Sequence, residues 1–290
     1  MTAPPLTAPE PTADWAAHPG ILRCVACGEG SPRSGSAATS ALICDRCGHA
    51  YPIRDGLLVV NDHVSDNNKV AGDFYNSPLW PKFRFWEWAT FACNGGERRS
   101  RDKVLRHLPK ASGLKLLDVA VGDGVYLDWL PPDWSVVGVD VSTSQLAACR
   151  ERVKSGPKRD VQLILGEAED LPVRDGQFDA ALSIGAFNYF NDPEKALREM
   201  VRAVKPGGTI VLSDELPNLT DRMIFRKIGL PKVDRWILSR MMYLGDAFTE
   251  MVERHRSLDV RGIAERVLPG SRYEEIWMKV GYVVVGTVPG

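Results

Sequence analysis

The sequence predicts an α/β fold: an open, mostly parallel sheet with helices on both faces, preceded by a small cysteine-rich module and interrupted by a helical insertion. Three observations predict it. Residues 116–140 run from an apolar stretch through a Gly-x-Gly turn and a short amphipathic helix to a second apolar stretch ending in a carboxylate. That is the pattern of a βαβ nucleoside-binding unit. Further apolar runs of strand length follow at 161–165 and 178–184, separated by helical and turn segments. Two Cys-x2-Cys pairs lie near the N-terminus.

Residues 1–20, rich in Pro, Ala and Thr, read as a disordered tail. Next come Cys24-Val-Ala-Cys27 and Cys44-Asp-Arg-Cys47, with sixteen residues between the pairs and Gly28 and Gly48 directly after them. Knuckles spaced this way give four thiolates a tetrahedral cage, so residues 21–61 are expected to form a zinc ribbon. The alternative is a redox or unmetallated pair. With four protein ligands at Cys24, Cys27, Cys44 and Cys47, the Zn2+ would have no open position and would be structural. His49 reads as a surface residue, and 51–60 as strand, turn and strand. Residues 62–112 form an aromatic-rich helical arm. Eight of the chain's 24 aromatics fall between Phe74 and Phe91, which suits an arm packed on the core, a lid over a ligand, or both. Residues 97–108 then read as a charged amphipathic helix.

In 113–290, Gly122 and Gly124 let the backbone approach a ligand where a Cβ would clash. Asp140, sixteen residues after Gly124, is placed to accept from both ribose hydroxyls. A dinucleotide fingerprint would need a third glycine where Leu127 stands. Ser142-Thr-Ser-Gln145 reads as a capping box for a helix over 143–154. The strand 161–165 ends in Gly166-Glu167-Ala168-Glu169-Asp170-Leu171-Pro172. The strand 178–184 delivers Phe187, Asn188 and Tyr189 to its carboxyl end, the edge where open α/β sheets hold ligands. Asp192-Pro193 caps another helix, and Lys205-Pro-Gly-Gly208 turns into a strand over 209–213. Residues 272–280 and 282–287 alternate about Gly281 as an antiparallel pair. Between the strand over 209–213 and this pair, 216–270 form a helical cap whose apolar positions interleave with Arg222, Arg226, Lys227, Lys232, Arg235 and Arg240. This cap reads as a surface helix pair, as a lid giving an apolar substrate its pocket, or as a basic amphipathic face that skims a membrane. Asp214, Glu215 and His255 are ionisable groups in or near it.

These motifs, in this order, resemble the class I S-adenosylmethionine (SAM) methyltransferases, specifically the group that includes the ubiquinone and menaquinone C-methyltransferases. The sequence departs from the family at the first glycine of the turn, here Ala120, and has Glu167 where the family has Asp. The resemblance implies a Rossmann-like seven-stranded methyltransferase sheet. It also implies SAM contacts from Asp118, Ala120, Gly122, Gly124, Asp140, Val141, Glu167, Ala168, Ser183 and Ile184, with Glu167 taking the adenine amino group and Ala168 N–H a ring nitrogen. Catalytic candidates are Tyr75, Asn188, Tyr189 and His255, with Tyr75 and its aromatic neighbours walling the sulfonium. The ribbon resembles the one preceding the catalytic domain in 23S rRNA guanine methyltransferases.

With 36 basic and 37 acidic residues the net charge is -1, so no global field recruits nucleic acid. No apolar run of about 18 residues and no signal peptide is evident, so a cytosolic protein is expected. The first reading is methylation of a small, lipophilic or aromatic metabolite at O or C. The second is an rRNA or tRNA base methyltransferase gripping RNA through the ribbon. It has basic clusters such as Arg98-Arg99-Ser-Arg101 in its favour, while the composition and the missing Asn-Pro-Pro-Tyr count against it. The third is a non-enzymatic SAM-fold scaffold. The expected partner is a small-molecule substrate, with no stable nucleic acid; transient membrane contact and a homodimer are left open.

Overall fold

In a computed structural model describing residues 15, 20–34, 41–61 and 64–290, the apolar runs become the centre of one continuous sheet. The expected disordered tail lies outside the described residues except for Trp15 and Gly20, and Trp15 is buried against the core. The ribbon contributes β1 (Pro32–Ser34), β2 (Ala41–Cys44), β3 (Ala50–Arg54) and β4 (Leu57–Val59). The arm contributes α1 (Asp66–Tyr75), α2 (Trp80–Cys93) and α3 (Glu97–Leu105). The sheet continues with β5 (Lys115–Val119), β6 (Ser135–Asp140), α4 (Thr143–Ser155), β7 (Val161–Leu165), β8 (Phe178–Ile184), α5 (Pro193–Ala203) and β9 (Val204–Glu215).

Strand order is β7-β6-β5-β8-β9, all parallel, because each crossover carries a helix or a long loop back across the sheet. β5 is buried on both faces. Leu117 and Val119 face the cluster that includes Leu197 and Met200 of α5, and Leu116 faces the one that includes Leu146 and Cys149 of α4. This two-sided burial explains the uninterrupted apolar run in sequence. The chain closes with β10 (Arg272–Ile276) and β11 (Gly281–Thr287), β11 pairing antiparallel with both β9 and β10.

The expected seven-stranded sheet is thus present, but it does not stop there. β4 pairs in parallel with β7, Leu58 opposite Ile164 and Val59 opposite Leu165, and this joins the ribbon to the catalytic sheet as one eleven-stranded sheet. The reason is at the edge. Unpaired, β7 would leave a row of backbone groups open to any passing strand. The helix expected after Gly124 is a 3-10 segment, Val125–Trp129, because Pro131 and Pro132 bar helical backbone immediately downstream.

The insertion breaks at Gly229 and Pro231 into α6 (Ile224–Lys227) and α7 (Pro231–Trp236), followed by a π turn at Ile237–Met241 and α8 (Gly245–Arg254). The last helix, α9 (Val260–Val267), buries Ile263 and Ala264 in the core cluster that holds α5. Leu238, Leu244, Phe248 and Met251 form a separate small core with Phe74 of α1 and Tyr189, above the carboxyl ends of the parallel strands.

Candidate active site

The turn after β5 is left-handed at three places: Ala120 (φ +63°), Gly122 (φ +57°) and Gly124 (φ +71°). Backbone N–H groups of Ala120 and Val121 donate to Val139 O at 2.8 and 3.1 Å and tie the turn to β6. A Cβ on Gly124 would lie 2.5 Å from Cys149 Sγ, so this glycine lets α4 pack close. Asp140 ends β6 beside the turn and accepts from Gly122 N–H at 2.9 Å and from Ser142 N–H at 2.8 Å. Ser142 Oγ in turn caps α4 by accepting from Gln145 N–H.

The arm closes over this turn. Asn76 accepts from Ser142 Oγ at 2.8 Å and Ser144 N–H at 3.0 Å, Tyr75 Oη donates to Gly185 O at 3.3 Å, and Arg84 of α2 pairs with Asp123 at 2.6 Å. Beneath the arm lies a cavity of about 530 Å³. One end is formed by the Gly-x-Gly turn, Asp118 and Asp140. The other lies between α1, α2 and the cap, lined by Phe74, Trp80, Phe83, Leu238, Met242 and Phe248.

Polar groups enter that apolar half from the ends of β8 and β9. Tyr189 Oη donates to Glu215 Oε1, and Asn188 Nδ2 donates to Glu215 O at 2.7 Å. Asn188 N–H donates to Asp214 Oδ2 at 2.9 Å, and Tyr282 Oη to Asn188 Oδ1 at 3.0 Å. Burial pushes Glu215 up to about 7, opposed by its own backbone N–H, and pushes Asp214 up to about 7 against the Asn188 and Glu215 amides. Asp118 rises to about 7 through burial and the nearby Asp140 charge. Asp140 rises to about 6 through burial, held down by the amides of Ser142 and Gly122. Burial, then the Glu215 charge, drives the Tyr75 phenol well above its ordinary value. Four carboxylates that titrate near neutrality in one cleft mark a functional site.

Of the residues expected at the site, Tyr75, Asp118, Ala120, Gly122, Asp140, Ile184, Asn188, Tyr189 and His255 line the cavity. Gly124, Val141, Glu167, Ala168 and Ser183 do not. Glu167 instead accepts from Asn61 Nδ2 at 2.8 Å and Asn68 Nδ2 at 2.9 Å. His255 uses both ring nitrogens, Nδ1–H donating to Met251 O at 2.8 Å and Nε2 accepting from Asn67 Nδ2 at 3.0 Å. The sequence offers Glu215, with Asp214 and His255, as an ionisable group in or near the cap that could serve as a general base. Its pairing with Tyr189 arises because β8 and β9 are neighbours. Glu87, a lining carboxylate raised by burial, lay hidden among the aromatics of α2.

In the ribbon the sulfurs of Cys24, Cys27, Cys44 and Cys47 lie within 4.8 Å of one another, with Cys24–Cys47 at 3.7 Å and Cys27–Cys44 at 3.8 Å. A tetrahedral site with Zn–S of about 2.3 Å has S–S edges of about 3.8 Å. Gly30 N–H and Arg46 N–H point at Cys27 Sγ and Cys44 Sγ (3.4 and 3.5 Å), and Tyr51 Oη lies 3.0 Å from Cys24 Sγ, an outer shell suited to thiolates.

Residues 117–212 match the family described as methyltransferase domain, and residues 20–56 match the Trm112p-like protein family. The chain carries a SAM-dependent methyltransferase domain behind an N-terminal cysteine ribbon. This methyltransferase is 27% identical over 195 residues to the demethylmenaquinone methyltransferase of Lactococcus lactis, covering 64% of this chain and 72% of that one. It is 34% identical over 125 residues to methyltransferase GfsG of Streptomyces halstedii, covering 42% and 45% of the two chains. Against the demethylmenaquinone methyltransferase of Renibacterium salmoninarum identity is 36% over 122 residues, covering 41% and 49%. The methyltransferase therefore spans about half the length of these last two relatives. A solved SAM-dependent methyltransferase from Aquifex aeolicus aligns with TM-score 0.44 and 19% identity, over 78% of this chain and 100% of that one. One chain of a complex containing the Haloferax volcanii Trm112 methyltransferase activator aligns with TM-score 0.44 and 20% identity, over 72% and 98%.

Proposed function

We propose that this methyltransferase acts on a small lipophilic or aromatic metabolite, at oxygen or carbon. The observation that supports this most is the cavity. It is half open, walled by aromatics and aliphatics, and meets the Gly-x-Gly turn at one end and the Asp214–Glu215 strand end at the other. A mostly apolar cavity of this size suits a cofactor and a small acceptor, whereas a nucleic acid would need a basic groove for its phosphates.

The residues fit SAM. Asp140 retains acceptor capacity toward ribose hydroxyls, Gly122 keeps backbone exposed where a side chain would intrude, and Tyr75 and Trp80 present aromatic faces to a sulfonium. We assign the adenine side to the ends of β6 and β7, where Val141, Glu167 and Ala168 lie. The Glu167 carboxylate accepts one bond on each oxygen, from Asn61 and Asn68, and keeps lone pairs for the adenine amino group. Bound there, SAM supplies the electrophile, its S–CH3 bond breaking as the new O–CH3 or C–CH3 bond forms. The protein aligns the two and excludes water. Glu215 takes the proton that the acceptor sheds. Tyr189 orients its carboxylate, and a value of about 7 makes it a base near neutrality. Cys24, Cys27, Cys44 and Cys47 hold a structural Zn2+ with no open coordination position.

Met242 lines the acceptor half and is partly exposed, so the fold tolerates change there. Met242→Arg is expected to abolish transfer of label from tritiated SAM to an organic-solvent extract of the host while SAM affinity, measured by calorimetry, stays within threefold. Equal loss of both would contradict a separate acceptor half.

A further inference from the structure

The cap and α2 expose an unusual amount of apolar surface around the cavity. Ile224, Ile228, Leu230, Trp236 and Met241 are each at least 50% exposed, and so are Phe85 and Trp88 on α2. Their chain neighbours Met223, Met242, Trp86 and Glu87 line the cavity. The apolar rim and the acceptor half are therefore two sides of the same short helices. Lys82 Nζ sits 5.4 Å from the Tyr243 ring and joins α2 to the cap, so the two apolar clusters flank one surface. An exposed apolar cluster of this kind is a contact surface.

The charge around it selects the contact. Residues 216–244 carry six basic side chains against two acidic ones, Asp221 and Asp234, and Asp234 is buried. Arg226, Arg235 and Arg240 are engaged by Glu253, Glu250 and Asp246. Lys227 and Lys232 are exposed and have no acidic partner among the described residues, and they stand between the protruding apolar residues in sequence. Isoleucine, leucine and tryptophan protruding from short helices, with lysines set among them, match the boundary between acyl chains and anionic headgroups. No helix of the described residues is long and apolar enough to cross a membrane, so contact would be made by this surface lying on the bilayer.

We propose that the face formed by α6, α7, the π turn and the outer side of α2 docks on an anionic lipid bilayer, with the cavity alongside the headgroup region. Its purpose, collection of a lipophilic acceptor without passage through water, rests on the function proposed above. The docking itself does not, and the test reads docking alone.

The full chain is mixed with phosphatidylcholine vesicles, with and without 30 mol% phosphatidylglycerol, and the bound fraction is read by co-sedimentation. Binding at least fivefold higher on the anionic vesicles is expected. Ile224→Glu with Ile228→Glu is expected to lower it at least tenfold, and Lys227→Glu with Lys232→Glu to bring it down to the zwitterionic level. Unchanged SAM affinity by calorimetry verifies that both double variants are folded. Three results would overturn the proposal: no binding to anionic vesicles, binding that both double variants retain, or a wild-type dimer in solution that Ile224→Glu with Ile228→Glu turns into monomer. The last would assign the face to a second copy of the chain.

Discussion

Ala120 occupies a left-handed position where the family resemblance calls for glycine. An L-residue there costs about 1–2 kcal/mol, partly offset because alanine loses less freedom than glycine on folding, by about 0.4–1 kcal/mol. Ala120→Gly should therefore leave the melting temperature unchanged or raise it by a few degrees, and the β-branched Ala120→Val should lower it; calorimetric melting of the three proteins decides. Asp140→Ala is expected to weaken SAM binding by about 1.5 to 3 kcal/mol through lost hydrogen bonds to ribose, and unchanged affinity in titration calorimetry would remove the ribose assignment. For Glu215 the sign is set by its role as a base. Activity should climb as pH rises through about 7, where the carboxyl ionises, and Glu215→Gln should abolish that limb and cost about 10²–10⁴ in rate. SAM affinity should not change. At this scale, Gly122 and Asp140 were legible because backbone freedom and a strand-end carboxylate are local properties. Glu167 was legible as an acid at a strand end, but its hold by Asn61 and Asn68 was not, since those asparagines sit 106 and 99 residues away in the chain.

The ribbon and β7 act as one element. Leu57–Val59 is buried at every position, and an uninterrupted apolar triplet is what a strand covered on both faces requires. That signal was present in the sequence, but the partner strand lies about a hundred residues downstream, and only the assembled sheet shows which edge β4 covers. The cysteine spacing, by contrast, pointed to the ribbon directly, because paired Cys-x2-Cys knuckles are a local pattern typical of four-thiolate sites. If zinc holds the ribbon, a strong chelator should release about one equivalent per chain and lower the melting temperature by several degrees as β4 leaves β7. Metal release without loss of stability would mean that the edge is held by packing alone. The cap was legible as helical, but Gly229 and Pro231 cut it into pieces shorter than its periodicity suggested.

Across the whole molecule, three buried carboxylates and the half-buried Glu215 share one cleft, and their effect on stability has a definite sign. Asp118, Asp140, Asp214 and Glu215 bind protons more tightly in the folded chain (about 7, 6, 7 and 7) than when unfolded, where carboxyls titrate at about 4. Stability of the ligand-free protein should therefore fall as pH rises from about 4 to about 7 and level off above. Denaturant midpoints at pH 5 and pH 8 measure this, and Asp118→Asn should shrink the difference, stabilising the protein at pH 8 by on the order of 1 kcal/mol. The order of motifs along the chain predicts the parallel sheet that the structure shows. The acceptor side was harder to read, because its walls come from α1, α2, the ends of β8 and β9 and the cap, which meet only in three dimensions. The central claim is that this cavity passes a methyl group from SAM to a small apolar molecule. The most direct measurement incubates the purified chain with tritiated SAM and two substrate pools, total RNA and an organic-solvent extract of the host. Label entering the extract and not the RNA is the expected result; label entering RNA instead would contradict the account.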